Sequence, residues 1–83
     1  MAPKTRTTYQ ELDLVPIPED IPELGIEAGQ YGTVDTVYAI EGEAGRGLYV
    51  EVSRDDGTTV GFVQLEAKPG SDDWRVMAYS AFD

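Results

Sequence analysis

The chain has 83 residues, of which 41% are hydrophobic, and a net charge of −10, so it can form one small domain and is too apolar for a disordered acidic tail. It contains neither Cys nor His, which excludes disulfides, cysteine-based zinc sites and thiol catalysis and removes the usual proton shuttle. The balance of 16 acidic to 6 basic residues argues against binding to nucleic-acid phosphates or to an anionic membrane. The acidity is explained either by solubility or adaptation to a salty cytoplasm, or by a basic protein partner, which is the functional explanation. A chain without cysteine fits the reducing cytoplasm.

Residues 1–8 are predicted to be a disordered leader. Lys4 and Arg6 lie in this segment with no apolar run after them, so it resembles neither a secretory signal nor a membrane anchor. Residues 9–83 contain no repeat, low-complexity tract or interdomain linker. We predict a single domain over that range.

The first predicted strand covers about Glu11 to Ile17. Within it, Pro16 removes a backbone donor, which indicates an edge strand or a bulge. The following segment, Pro18 to Gly29, is interrupted by Pro22 and Gly25 and allows at most one helical turn. Its apolar residues are expected to fold back and plug one end of a barrel: Ile21, Leu24 and Ile26.

Two glycines mark the entry to the second strand. We expect Gly29 to turn the chain, and we expect Gly32 to need either a positive φ or a close approach of neighbouring backbone. The strand itself is predicted from Tyr31 to Glu41. A bulge near Asp35 is predicted to bring inward two valines of opposite parity, Val34 and Val37.

A β-hairpin from Gly47 to Leu65 is the clearest predicted element. Asp56-Gly57 suits a two-residue type I′ turn, in which both central residues have positive φ. Counting outward from that turn gives one apolar face, formed by Leu48, Val50, Val52, Val63 and Leu65. The opposite face then pairs Ser53 with Val60, Glu51 with Phe62 and Tyr49 with Gln64.

A turn at Lys68 to Ser71 precedes the last predicted strand, which runs from about Asp73 to Tyr79. We interpret Trp74 as a core or barrel-end residue, with a ligand platform as the alternative. The fold class is therefore all-β, a small barrel of about five strands with at most one short helical turn.

These residues also carry a family resemblance. They are Leu14-Val15, Glu19-Asp20-Ile21-Pro22-Glu23, Gly25, Gly29 and Gly32-Thr33-Val34. Together they resemble a small bacterial domain of unknown function with an SH3-like, KOW-type barrel. The resemblance extends from about Leu12 to Leu65, whereas the segment from Trp74 to Asp83 is longer than it leads us to expect. It implies a fold and no activity, and some SH3-like domains of this sort are associated with toxin or mobile-element genes.

The acidic pairs of the chain lie in predicted turns and loops, where Asp is favoured for its turn chemistry. The richest of them, Glu19 to Glu23, lacks the alternating oxygen ligands of a calcium loop. We therefore assign no catalytic residue, no metal site and no cofactor, and we expect a protein that is not an enzyme. A hydrolase that uses carboxylates alone is the least favoured alternative.

The outer face of the hairpin is the candidate partner-binding site. Tyr49, Phe62 and Val60 would form an exposed apolar patch there, next to the acidic residues Glu51 and Asp55. The alternative is that the C-terminal segment covers these aromatic rings through Met77, Tyr79 or Phe82.

Two functions from different classes follow from this surface. The first is a non-enzymatic module that binds a basic protein, as an immunity or antitoxin-like factor would. The second is a structural or assembly subunit that docks on a larger bacterial complex, or forms a homo-oligomer through an uncovered strand edge.

Overall fold

A computed structural model of the chain describes residues 6–40 and 45–82. It contains five antiparallel strands in one sheet, in the order β1-β2-β3-β4-β5, and one 3-10 helix at Pro22–Leu24. This architecture confirms the predicted all-β class, the number of strands and the single short helical turn. The strands are β1 at Leu14–Pro16, β2 at Tyr31–Ala39, β3 at Arg46–Ser53, β4 at Thr59–Ala67 and β5 at Arg75–Ala81.

Alternating apolar residues on β3 and β4 form the centre of the core. Leu48 pairs with Leu65 and Val50 with Val63, as the hairpin pattern predicts. All five residues of the predicted apolar face are fully buried: Leu48, Val50, Val52, Val63 and Leu65. Burying a side chain of this size stabilises the fold by roughly 1.5 to 3 kcal/mol, so this face contributes much of the driving force for folding.

The hairpin turn differs from the prediction. The loop has three residues, because the Arg54 carbonyl accepts the Gly57 N–H at 2.9 Å and the Arg54 N–H donates to the Thr58 carbonyl at 2.8 Å. Gly57 has a φ of 89°, whereas Asp56 does not have a positive φ. The Asp56 carboxylate instead accepts hydrogen bonds from the Thr58 amide and hydroxyl, at 3.0 and 2.7 Å. The two-residue type I′ turn is therefore wrong, and a three-residue loop with one left-handed glycine replaces it.

A bulge in β4 restores the predicted register despite the longer turn. Ser53 pairs with Thr59 and Val52 with Gly61, which leaves Val60 as the extra residue. The predicted pair of Ser53 with Val60 is therefore wrong. Val60 is partly buried and packs against the core instead of standing opposite Ser53 on the outer face.

The predicted bulge in β2 is present. The register shifts between Val34 and Thr36, so Asp35 is the extra residue. Val34 pairs with Val50 and is fully buried. Val37 pairs with Leu48 and so shares the inner face, as predicted, although 39% of its surface stays exposed. β2 ends at Ala39, and the predicted strand end at Glu41 lies outside the described residues.

Gly29, just before β2, and Gly32, its second residue, have different roles. Gly29 has a φ of 93°, in agreement with its predicted role in a turn. Gly32 does not have a positive φ, but a Cβ placed on it would overlap Val50 Cγ1 and lie 3.0 Å from the Glu51 carbonyl oxygen. Gly32 is therefore required for close approach rather than for backbone conformation.

β1 is shorter than predicted, with three residues, and it lies at an edge of the sheet as Pro16 indicated. Leu12 lies before it with a φ of 74°, and Leu12 and Leu14 are both well exposed. The segment after β1 covers one end of the core, as predicted. Ile21 and Ile26 pair there and are buried, and Leu24 packs against the core.

The segment that follows β1 contacts β5, the strand at the opposite edge of the sheet. The Glu19 carboxylate accepts the Val76 N–H at 3.1 Å and lies 3.6 Å from the Arg75 guanidinium. Over the described ranges, no ladder joins β1 to β5, so these contacts take the place of strand pairing there.

Trp74 is a core residue, which confirms the favoured interpretation. It is buried, packs edge-to-face against Tyr9 at 5.7 Å between ring centroids, and its Nε1 donates to the Arg6 carbonyl at 2.8 Å. The Arg46 guanidinium lies over the indole and donates to the carbonyls of Thr7, Lys68 and Ser71. Arg6 and Thr7, which the sequence placed in the leader, therefore contact the domain.

Candidate protein-interaction surface

The outer face of β3, β4 and β5 carries the aromatic residues predicted from the hairpin register. Tyr49 pairs with Gln64 and Glu51 pairs with Phe62, as expected. Tyr49 is 46% exposed, and Phe62 is partly buried. The two rings border one shallow groove of about 180 Å³, which is lined by Tyr49, Phe62, Val63, Gln64, Ala78, Tyr79 and Ser80.

The C-terminal segment covers part of this surface. The Phe82 ring packs edge-to-face on Phe62 with centroids 6.1 Å apart, and the Phe82 N–H donates to the Val60 carbonyl. Phe82 is itself 56% exposed, so it extends the apolar surface while shielding one side of Phe62. The sequence left open whether the C-terminal segment covers the aromatic rings. In the structure it covers part of Phe62, whereas Tyr49 is exposed.

Tyr38 belongs to the same face and was missed by the sequence analysis. Its ring lies 5.1 Å from the Tyr49 ring, measured between centroids, and is placed directly over Gly47 of the neighbouring strand. The Tyr38 hydroxyl donates to the Glu66 carboxylate at 2.9 Å and accepts a hydrogen bond from the Gln64 amide at 2.6 Å. These bonds fix the ring against Tyr49.

The environment of Tyr38 also changes its acidity. Burial raises the pKa of its phenol above the ordinary value of 10.0, and the neighbouring Glu66 carboxylate raises this pKa further. The Gln64 hydrogen bond acts in the opposite direction and is outweighed. The phenol therefore stays protonated and continues to donate to Glu66 across the ordinary range of pH.

Within residues 6–40 and 45–82, two carboxylates on this face have no cationic partner. Glu51 accepts a hydrogen bond from the Thr59 hydroxyl at 3.3 Å, and Glu66 accepts the one from Tyr38. Neither forms a salt bridge within the described residues, where Arg6 pairs with Asp13 and Arg75 pairs with Glu19 and Asp73. We call this surface the acidic aromatic face; it consists of Tyr38, Tyr49, Glu51, Phe62 and Glu66.

The structure does not bring all five predicted site residues together. Tyr49, Glu51 and Phe62 share the acidic aromatic face. Asp55 lies in the hairpin turn and borders a separate open depression with Tyr31, Ser53 and Asp56. Val60 packs against the core at the bulge. The sequence placed Asp55 and Val60 with the other three residues, because counting residues from the turn does not reveal the bulge or the longer turn.

The Glu23 carboxylate lies outside the acidic aromatic face and is held by hydrogen bonds. A backbone hydrogen bond at Glu23, and then a hydrogen bond from Tyr79, lower the pKa of the Glu23 carboxyl. Among residues 6–40 and 45–82 there is no group of three or more acidic side chains placed to hold a metal ion. In the same ranges, no helix is long and apolar enough to cross a membrane.

A comparison with protein families identifies the domain. The family described as a domain of unknown function, DUF4926, matches residues 11–69. The chain belongs to the DUF4926 family. This match spans β1 to β4 and leaves β5 outside it, in agreement with the sequence resemblance, which ended near Leu65. No curated protein and no solved structure matches the chain, so the DUF4926 assignment brings a family without an activity.

Proposed function

We propose that this DUF4926 domain is a non-enzymatic protein-binding module whose acidic aromatic face engages a basic protein. One observation carries the proposal. The rings of Tyr38 and Tyr49 contact each other, tilted by 37°, on a face that also holds Glu51 and Glu66, two carboxylates without a cationic partner among the described residues. Exposed aromatic rings next to unpaired carboxylates suit a lysine or arginine side chain, which gains from both.

The two kinds of residue would contribute differently to binding. The net charge of −10 attracts a basic partner over a distance and raises the rate of association. The aromatic rings, once buried, hold the complex and lower the rate of dissociation.

The barrel type, the source and the cellular compartment are part of the same proposal. We propose an SH3-like barrel in a bacterial cytoplasmic protein, supported by five antiparallel strands, by the contacts of Glu19 with β5, and by the absence of cysteine. Within that class, an immunity or antitoxin-like factor is the function best suited to a small acidic domain that binds a basic protein. Neutralising a basic protein requires only a complementary surface and no catalytic group.

Affinity capture from cells that naturally produce the protein tests the proposal. The wild-type chain should retain a basic protein at low salt and release it at high salt, because salt screens the attraction between charges. Tyr49→Ala should retain much less of this protein. Tyr31→Ala is the matched control, since Tyr31 is 50% exposed but borders the separate depression at the hairpin turn. Capture of an acidic protein, or equal loss in both variants, would contradict the proposal.

The second candidate function is an assembly subunit that docks on a larger complex. The observation that favours it is the uncovered edge of β5, which carries no further strand within the described part of the chain. Retention of several subunits of one complex at both low and high salt would support this candidate over the first.

A further inference from the structure

β5 contributes little to the hydrophobic core. Six of its seven residues are exposed, and only Val76 is partly buried. β3 and β4, by contrast, bury four residues each. Because buried apolar surface supplies most of the driving force for folding, β5 is held mainly by its ladder to β4 and by contacts at its ends.

Trp74 anchors the start of β5. It directly precedes the strand and is only 2% exposed. The residues that cover its indole come from the opposite end of the chain, residues 6–9, which we call the N-terminal segment. Tyr9 packs edge-to-face on the indole, and the Arg6 carbonyl accepts its Nε1–H at 2.8 Å. The N-terminal segment and the start of β5 therefore hold each other in place.

The N-terminal segment is itself attached through side chains. It belongs to no strand or helix. The Arg46 guanidinium donates to the Thr7 carbonyl and to the Ser71 carbonyl in the turn before β5, so it joins the same two parts. The match to DUF4926 covers residues 11–69, and both the N-terminal segment and β5 lie outside it. These two parts form one unit at the edge of the four matched strands.

The other side-chain contacts of this edge are exposed. The carboxylates of Glu19 and Glu23 bind β5 from the segment after β1, and both residues are exposed. Beyond the end of the strand, Phe82 packs on Phe62 while 56% of its own surface stays exposed. Exposed pairs add little stability, whereas a buried aromatic ring adds much. The buried contact of Tyr9 with Trp74 is thus the main side-chain attachment of β5.

We propose that β5 is a releasable strand, which separates from β4 together with the N-terminal segment while β1 to β4 stay folded. The contact of Tyr9 with Trp74 keeps this unit closed. Ala78, Tyr79 and Ser80 line the groove of the acidic aromatic face, so release removes one wall of that groove. Displacement of the N-terminal segment therefore acts on the proposed binding face from a distance. The release itself does not depend on which protein binds there.

Amide hydrogen exchange of the purified full chain at low urea concentrations tests this proposal. In the wild type, the amides that β5 donates to β4, and the Phe82 N–H bound to the Val60 carbonyl, are the reporters of release. Their protection factors should be at least about tenfold lower than those of the amides between β3 and β4. Their exchange should also depend only weakly on urea, because a local opening exposes little surface. Exchange between β3 and β4 should rise steeply with urea, since it requires global unfolding.

Val50→Ala and Tyr9→Ala are the matched variants. Both truncate a buried side chain, but Val50 lies in the part that stays folded and Tyr9 lies in the part that is released. Val50→Ala should lower the protection of the β3–β4 amides by about fivefold or more and leave the β5 amides unchanged. Tyr9→Ala should lower the protection of both sets by the same factor, because its contacts are lost in the release and in global unfolding alike.

Three results would overturn the proposal. The first is β5 exchange in the wild type with the same protection and the same urea dependence as the β3–β4 amides. The second is an equal effect of Val50→Ala on both sets, and the third is Tyr9→Ala with β5 protection unchanged. The wild-type comparison decides the matter even where Tyr9→Ala does not fold. Since no partner is present, failure here leaves the proposed binding of a basic protein to be judged by its own experiment.

Discussion

Gly32 and Val50 should be energetically coupled, because the Val50 side chain occupies the space that a side chain at position 32 would need. Gly32 lies in β2, and a methyl group added to it would overlap Val50 Cγ1, whereas favourable carbon contacts are about 3.5 to 4.0 Å. Val50 is fully buried and cannot move aside without disturbing its neighbours. Gly32→Ala should therefore overpack the core and destabilise the domain by about 1 to 3 kcal/mol.

Val50→Ala should also be destabilising when made alone. It removes two buried methyl groups, and the loss of their burial together with a residual cavity costs about 1 to 3 kcal/mol. At about 0.05 to 0.15 kcal/mol per residue, a domain of 83 residues has a free energy of unfolding of about 4 to 12 kcal/mol. Each substitution alone should therefore leave a folded but measurably weaker protein.

The double variant Gly32→Ala/Val50→Ala should be more stable than the sum of the two single effects predicts, by about 1 kcal/mol or more. The methyl group introduced by Gly32→Ala would then enter the space vacated by Val50 Cγ1. Urea denaturation of the four proteins gives this coupling energy directly. Val37→Ala, a partly exposed valine on the same face, is the control and should combine additively with Gly32→Ala. Additive effects in the Gly32 and Val50 cycle would refute the packing argument.

Three further predictions concern single side chains. Arg46→Lys should increase proteolytic cleavage of residues 6–9, because the guanidinium reaches the three carbonyls from two separate nitrogens and the lysine ammonium has only one; unchanged cleavage would show that these hydrogen bonds contribute little. Tyr38 has a raised pKa, so the folded state keeps its proton after the unfolded state has lost it, and stability should fall as the pH rises above about 10. Urea midpoints between about pH 8 and 11 should decline less steeply in Tyr38→Phe, and an identical slope would contradict the assignment. Hydrogen bonds from Thr58 lower the pKa of Asp56, so its stabilising contribution should be lost as the pH falls below 3.8, and Asp56→Asn should flatten that acid limb of the stability profile.

The hairpin shows what a sequence pattern can and cannot predict. The apolar alternation of β3 and β4 allows only one register that buries their large aliphatic residues on one face, so Val50 opposite Val63 could be predicted with no structure. The turn could not, because Asp56-Gly57 fits two loop lengths equally well. The longer loop and the Val60 bulge shift the pairing by one residue each in opposite directions, so the core register remained correct while the turn type was wrong.

The acidic aromatic face was predicted in part for a similar reason. Tyr49, Glu51 and Phe62 follow from the alternation of the hairpin, which the sequence displays. Tyr38 lies on β2 after the Asp35 bulge, and its place beside Tyr49 depends on pairing between strands that are distant in sequence. The available signal was Gly47, whose missing side chain leaves room for a ring from the neighbouring strand.

The kinetics of the complex with the captured basic protein test the central claim most directly. Association should slow as salt rises, since the Debye length falls from about 10 Å at 0.1 M to about 3 Å at 1 M. Glu51→Lys should mainly lower the association rate, and Tyr49→Ala should mainly raise the dissociation rate, while Tyr31→Ala changes neither. An association rate that does not depend on salt, or a Tyr49→Ala variant that dissociates at the wild-type rate, would contradict binding through the acidic aromatic face.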